Sequence, residues 1–263
     1  MYDRPGMGPD ACRTTRIATV LAVAGACLVG TAGCGGDGGS NQVVVSAASS
    51  LDTAFNQYVD AVGIDAKMSF AGSDELAAQI RQGVKPDVYA AANMALPDQL
   101  HTAGLVRNPT VFATNTLVLA VPKDSQISSL GDLATPGTTI VMGDPAVPVG
   151  SYTHEVLGRL PPDQRNAILA NVRSEEPDVS SISGKLTQGA ADAGFVYVTD
   201  VTASDGQLKA IRLPAELQPN VAYAAAVVTG AENPEGARKF IEGLLSGDGA
   251  TALEEAGFKP PTG

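Results

Sequence analysis

Val43-Val44-Val45-Ser46-Ala47-Ala48-Ser49-Ser50-Leu51 decides the fold class. Val43 to Ala47 reads as a short strand, and Ala48-Ser49-Ser50-Leu51 ends it. Leu51, Phe55, Tyr58 and Val62 then recur at helical spacing, with Ser49 or Ser50 placed to cap the helix. The unit repeats. Ala66 to Phe70 is a strand, Gly72-Ser73-Asp74 a turn and cap, and Glu75 to Gln82 a helix with Leu76 and Ile80 inward. Asp87 to Ala91 is a third strand, and Val111 to Val121 reads as one long strand through Thr114-Asn115-Thr116. Strand and helix go on alternating through Thr139 to Met142, Tyr152 to Leu160, Val179 to Gln188, Ala193 to Tyr197, Leu208 to Leu213 and Val221 to Val228. Two helices, Pro234 to Leu245 and Ala250 to Glu255, close the chain. Such alternation implies α/β layers with helices on the sheet faces. The late run Val221 to Val228, followed only by helices, suggests a tail that returns to complete a first lobe and leaves the middle as a second.

The 263 residues are 44% apolar and 17% charged, enough for one large domain or two modest ones and too apolar for a disordered chain. With 17 Lys and Arg against 28 Asp and Glu the net charge is −11, and no basic cluster occurs, so a nucleic-acid role has no electrostatic footing. Two His and three Cys supply little for catalytic metal chemistry.

All three Cys (Cys12, Cys27, Cys34) fall in the first 34 residues. Residues 1–33 read as a leader: Arg13 and Arg16 precede a short apolar run from Ile17 to Ala32, and small residues lead to Cys34. That run is shorter than the ~20 residues a membrane span needs. Thr31-Ala32-Gly33-Cys34 resembles a lipobox, with Thr31 where Leu is usual, so Cys34 is the expected acylation site; an ordinary cleaved signal is the alternative. Residues 34–40, rich in Gly and Ser, form a flexible tether. Without residues 1–33 the chain keeps 14 basic and 26 acidic groups, net −12.

Three strand-to-helix junctions are chemically alike, at Ser49-Ser50, at Ser73, and at Val147-Pro148-Val149-Gly150-Ser151. The first N–H groups of a helix are unpaired and its dipole is positive there, so each junction is either an oxyanion cradle or an ordinary serine cap. Other chemistries fail. His154-Glu155 has no second His one turn on, the Gly-rich stretch has no following Lys-Ser or Lys-Thr, and no Gly-x-Ser-x-Gly elbow accompanies Ser73.

Several segments, in order, resemble the molybdate-binding proteins of ABC importers in their lipoprotein form. They are Val43 to Leu51, and Phe70-Ala71-Gly72-Ser73 with Leu76-Ala77 and Gln79-Ile80. Next come Pro86-Asp87-Val88 with Ala91-Ala92, then Gly143-Asp144-Pro145 with Val147-Pro148 and Gly150-Ser151-Tyr152. Gly194-Phe195-Val196-Tyr197 with Thr199-Asp200, and the terminal Gly257-Phe258, complete the set. The resemblance implies a two-lobed type II periplasmic binding protein with two interlobe crossovers. Lobe one is residues 41–115 plus 220–263 and lobe two 116–219, hinged near Ala113 to Asn115 and Pro219 to Val221. It implies substrate-binding residues Ser50 and Ser73 (hydroxyl and backbone N–H), Val149 and Val179 (backbone N–H) and Tyr197 (phenol). Val149 stands where many members have Ala, and Asp74 where some have Ser. It further implies no catalysis, no cofactor and no direct metal ligand, the metal centre being bound through its oxygens, with Asp178 a helix cap. The implied partners are molybdate or tungstate, an ABC permease, and the membrane through lipidated Cys34, for an extracytoplasmic monomer.

Neutral donors suit this chemistry. Preorganised dipoles can replace the hydration of a dianion without a cationic side chain, even in a protein of charge −12. A site with no acceptor rejects a protonated oxyanion, whose O–H would find no partner. Discrimination against sulfate then rests on cavity size. The alternatives are a receptor for sulfate, thiosulfate or another small anion, a serine hydrolase using Ser50 or Ser73, and a structural envelope lipoprotein.

Overall fold

Strand β1 (Val43–Ala48) lies inside a mixed five-stranded sheet of order β2-β1-β3-β10-β4. The computed structural model describes residues 42–261; the leader, Cys34 and the tether lie outside the described residues. β2 (Ala66–Ala71) and β3 (Val88–Ala91) run parallel to β1, with Val43 opposite Ala66 and Val45 opposite Val88. β10 (Val221–Val227) is antiparallel to β3 and to β4 (Thr110–Asn115), so the late strand does complete the first sheet. The second sheet has order β7-β6-β8-β5-β9, from β5 (Leu117–Pro122), β6 (Ile140–Gly143), β7 (Val172–Glu176), β8 (Ala193–Tyr197) and β9 (Leu208–Arg212). Here β6 is parallel to β7 and β8, while β5 is antiparallel to β8 and β9. Two mixed sheets with flanking helices make a two-lobed α/β protein.

The single strand expected over Val111 to Val121 is two strands in two different sheets. Its physical cause is Asn115, whose Oδ1 accepts the N–H of Thr116 at 2.8 Å and takes that group out of any ladder. The Asn115 amide then donates to Thr199 Oγ1 at 3.0 Å, in the helix Val198–Thr202 that follows the second sheet's strand Ala193–Tyr197. The chain returns between Arg212 and Val221, where Gln218 Nε2 donates to the Leu117 carbonyl at 3.1 Å. The two connections therefore lie side by side.

Helix α1 (Asp52–Val62) buries Phe55 and Tyr58 against Phe240 of α8 (Pro234–Leu245), with ring centroids 5.3 and 5.1 Å apart. Burying side chains of that size stabilises by about 1.5–3 kcal/mol each. Val62, the last residue before the left-handed Gly63 that stops the helix, is 47% exposed and adds nothing to that core. Helix α2 (Ser73–Arg81) turns Leu76 and Ile80 inward as its spacing implies. The remaining helices are α3 (Ala95–Thr102), α4 (Pro148–Gly158), α5 (Pro162–Ala170), α6 (Val179–Thr187), α7 (Val198–Thr202) and α9 (Asp248–Glu255). Among the described residues no helix is long and apolar enough to cross a membrane.

Candidate functional site

The parallel strands of both sheets end in helix starts that converge. β1 runs into a 3-10 turn at Ser49–Leu51, β2 into α2, β6 into α4, β7 into α6 and β8 into α7. Ser50, Ser73, Val149, Val179 and Tyr197 all line one cavity of about 20 Å³, together with Ala48, Gly72, Ala92, Pro148 and Asp178. Placement outside the carboxyl ends of parallel strands is the general position for ligands in α/β sheets.

Neither serine of the first sheet acts as the expected cap. Leu51 and Gly72 precede the two helices, and no side-chain cap bond is made at either end. The hydroxyls are engaged elsewhere. Ser73 Oγ accepts the Ala92 N–H at 3.1 Å, and the Ser73 carbonyl accepts the Tyr89 hydroxyl at 2.7 Å. Only 2% of Ser73 is exposed, and its hydroxyl proton remains free to donate into the cavity. Ser50 Oγ lies 2.8 Å from the Tyr223 hydroxyl.

The second sheet contributes differently. In α4, Val147 precedes Pro148, which has no N–H, so Val149 carries the first free donor of that turn. Gly150 lets this turn fold tightly over its own loop, since a Cβ there would collide with the Asp144 carbonyl. Asp178 caps α6, its Oδ1 accepting the Ser181 N–H at 2.8 Å, and Val179 follows as the first helical residue. Its carboxylate is thus turned back onto the helix, in the cap role expected for it. The two sheets come close at this point. A Cβ on Gly72 would collide with the Pro177 carbonyl of the facing loop.

Tyr197 is the anomaly. It is 1% exposed, and its hydroxyl makes no hydrogen bond of acceptable geometry among the described residues. A buried polar group without a partner is uncommon and costs free energy unless a ligand satisfies it. Burial, with the Tyr223 phenol beside it, pushes its pKa well above the ordinary tyrosine value, so it is a neutral donor. One turn on, Asp200 accepts the Tyr197 N–H at 2.8 Å. Burial raises the Asp200 pKa to about 7, against the pull of the Tyr197 and Asp200 amides and with help from the Asp178 charge.

Hydroxyls, helix-start N–H groups and a phenol therefore face a small cavity whose lining includes no Lys, Arg or His. The volume is far below the ~300 Å³ at which pockets for drug-sized molecules begin. It suits one compact polyatomic ion that only accepts hydrogen bonds. A larger groove of about 590 Å³ shares Ser49 and Ser50, but Asp52, Asp200, Asp205 and Glu255 line it, and it would repel an anion. Among the described residues neither serine is hydrogen-bonded to a histidine or a carboxylate: Ser50 pairs with Tyr223 and Ser73 with Ala92 and Tyr89.

Tyr223, Ala92 and Asn115 hold this site together, and sequence reasoning gives none of them a role in it. A lone phenol in the alanine-rich run Ala222-Tyr223-Ala224-Ala225-Ala226 is the available signal for Tyr223. No comparable signal marks Ala92, which acts through its backbone.

Residues 43–259 match the family model described as bacterial extracellular solute-binding protein. The molybdate-binding protein ModA of Mycobacterium bovis is 36% identical over 231 residues, covering 85% of this chain and 86% of that protein. The molybdate-binding protein ModA of Haemophilus influenzae is 30% identical over 263 residues, covering 94% and 98%. Among solved structures, the periplasmic molybdate-binding protein of Azotobacter vinelandii superposes with a TM-score of 0.74 at 19% identity, covering 84% of this chain and all of that one. That likeness speaks to the fold.

Proposed function

Since this chain belongs to the family of bacterial extracellular solute-binding proteins, we propose that it captures molybdate, or tungstate, and delivers it to an ABC permease. The observation that carries the reading is the buried, unpartnered Tyr197 hydroxyl facing a cavity of about 20 Å³ built from helix starts and serine hydroxyls. Ser50, Ser73 and Tyr197 donate through their side chains, and Val149 and Val179 through their backbones. Each donor is neutral. Dipoles fixed in advance replace the hydration of the dianion and cost little reorganisation when it arrives.

Selectivity follows from the donor set. Molybdate and tungstate are fully ionised at neutral pH and present only acceptors. Partly protonated phosphate brings an O–H that must find an acceptor, and the one carboxylate of the lining, Asp178, is turned back onto the Ser181 N–H and hydroxyl. Sulfate has the same charge and shape on a smaller scale, so its donors would sit too far away.

Residues 41–115 with 220–263 form one lobe and 116–219 the other, hinged near Ala113 to Asn115 and Pro219 to Val221. Closure over the anion presents a shape that the permease recognises. The receptor is a monomer outside the cytoplasm, held at the membrane through acylated Cys34. It performs no catalysis and needs no cofactor.

Calorimetric titration of residues 35–263 with molybdate, tungstate, sulfate and phosphate tests the reading. Tight binding of the first two with silence from phosphate and sulfate is expected. Sulfate binding as tight as molybdate would reassign the ligand, and no heat from folded protein with any oxyanion would sink the receptor reading.

A further inference from the structure

We propose that Tyr223 is a positioning residue for the oxyanion site, its phenol aiming the Ser50 hydroxyl into the cavity from behind. The inference rests on the receptor reading and adds to it a residue that does not itself line the cavity.

Tyr223 sits on β10, two residues after the chain re-enters the first sheet, opposite Ala113 and next to a register shift. It is fully buried, and its hydroxyl lies 2.8 Å from Ser50 Oγ. Its ring is held edge-on by Phe258, with centroids 5.1 Å apart, and by Tyr197 of the other sheet at 5.8 Å. The phenol therefore has little freedom to choose another partner.

Hydrogen counting gives this contact a direction. Ser50 has one hydroxyl proton, and an oxyanion can only accept. If Ser50 donates to the anion, the bond between Ser50 and Tyr223 must run from the phenol to the serine. Asn115 favours that direction. Its Oδ1 is held by the Thr116 N–H, which turns the amide NH2 toward its other neighbours. One amide proton goes to Thr199 Oγ1 at 3.0 Å. The side chain also lies beside the Tyr223 phenol, where it and Ser50 both oppose the rise in its pKa that burial causes. The bonds therefore run from Tyr223 to Ser50 and from Ser50 to the anion. Such a chain polarises each member toward the cavity. Ser73 has the same arrangement in a simpler form, because the Ala92 N–H fills its acceptor position and leaves its proton for the ligand.

The test is a double-mutant cycle read by calorimetric titration with sodium molybdate: wild type, Tyr223→Phe, Ser50→Ala and the double variant. Phe keeps the ring and its edge-on contacts, and the melting temperature of the ligand-free protein checks that the fold is retained. Tyr223→Phe should weaken molybdate binding about tenfold, the worth of one hydrogen bond. In the Ser50→Ala background the same change should cost less than about twofold, because the hydroxyl it orients is gone. In a Ser73→Ala background the tenfold loss should persist. A purely structural role predicts the same loss in every background, and finding it would overturn the inference. So would unchanged affinity in Tyr223→Phe. Wild-type protein that binds no oxyanion would overturn the receptor reading and this inference with it, whereas binding with additive losses overturns this inference alone.

Discussion

The two sheets share a topology and differ in how they present donors. In each, a strand that arrives from, or returns after, the other sheet lies antiparallel between two neighbours: β10 between β3 and β4, β5 between β8 and β9. The other strands run in the same spatial order in both. Yet the first sheet offers serine hydroxyls, each held by a partner of its own sheet, Tyr223 for Ser50 and Ala92 for Ser73. The second offers the backbone of Val149 and Val179 and a phenol whose hydroxyl makes no hydrogen bond of acceptable geometry among the described residues. In the first half each hydroxyl oxygen is already held by a neighbour and keeps its proton for a ligand; in the second the phenol is held by no such bond. An anion would therefore gain most from the second half, and it would draw the halves together.

The largest effect is expected where the donor is backbone. Val179 is the first residue of α6 and follows an extended Asp178, so proline there keeps the helix while deleting the N–H. Val179→Pro should weaken molybdate binding about 100-fold, as loss of a hydrogen bond to a charged group does. Val179→Ala keeps the N–H and should leave affinity within about twofold, while costing about 2 kcal/mol of stability at this buried side chain. Equal losses in both variants would mean that the side chain, and not the backbone, makes the contact. Ser73→Ala comes next. It removes a hydroxyl donor and also orphans the Ala92 N–H, so affinity should fall about 20-fold and stability by about 1 kcal/mol. Titration and urea unfolding read the two quantities separately. Tyr197→Phe should separate their signs. Removing an unsatisfied buried hydroxyl should leave the ligand-free protein as stable or up to about 1 kcal/mol more so, while binding weakens about tenfold. A destabilised ligand-free Tyr197→Phe would show that the hydroxyl has a partner without the anion.

The same contrast explains what can be read from the sequence. Strand β8 and helix α8 match their expected bounds, Ala193 to Tyr197 and Pro234 to Leu245, because clear apolar patterns are closed by strong end signals. Strand β7 carries no such pattern. Val172–Glu176 is a short edge strand of charged residues, paired on one side to β6, and edge strands need no continuous apolar run. Helix α3 is disguised by Pro97 within it, and α5 begins at consecutive prolines and buries only Ile168. Of the residues sharing the cavity, Ser50 and Ser73 announce themselves by type at strand-to-helix junctions. Val149 and Val179 do not, since the donating atom is common to every residue but proline; the Val147 to Ser151 junction marks the neighbourhood of Val149, and only the family resemblance points to Val179. Tyr223 lies 173 residues from Ser50, and no local pattern encodes that pairing.

The smallest effect is a pH dependence, and it also belongs to the second sheet. Asp200 touches the site through the Tyr197 amide, and its pKa is raised to about 7. Between the ordinary aspartate value near 4 and about 7, the folded protein holds a proton that the unfolded chain has released. Stability contributed by this group is therefore greatest at the acid end of that window and declines as pH rises through about 7. Binding follows the same sign, because an ionised Asp200 adds a negative charge beside an anion. Asp200→Asn, neutral at every pH, should flatten both trends, leaving a melting temperature that changes by less than about 4 °C relative to wild type at pH 5. At pH 8 the variant should bind molybdate more tightly than wild type, and at pH 5 equally well. Among the described residues, the hydrogen bonds of Ser50, Ser73 and Ala92 involve no ionisable side chain but the Tyr223 and Tyr89 phenols, which burial keeps neutral. Wild-type affinity that stays flat from pH 5 to 8 would mean that Asp200 is too well served by amides to feel the anion.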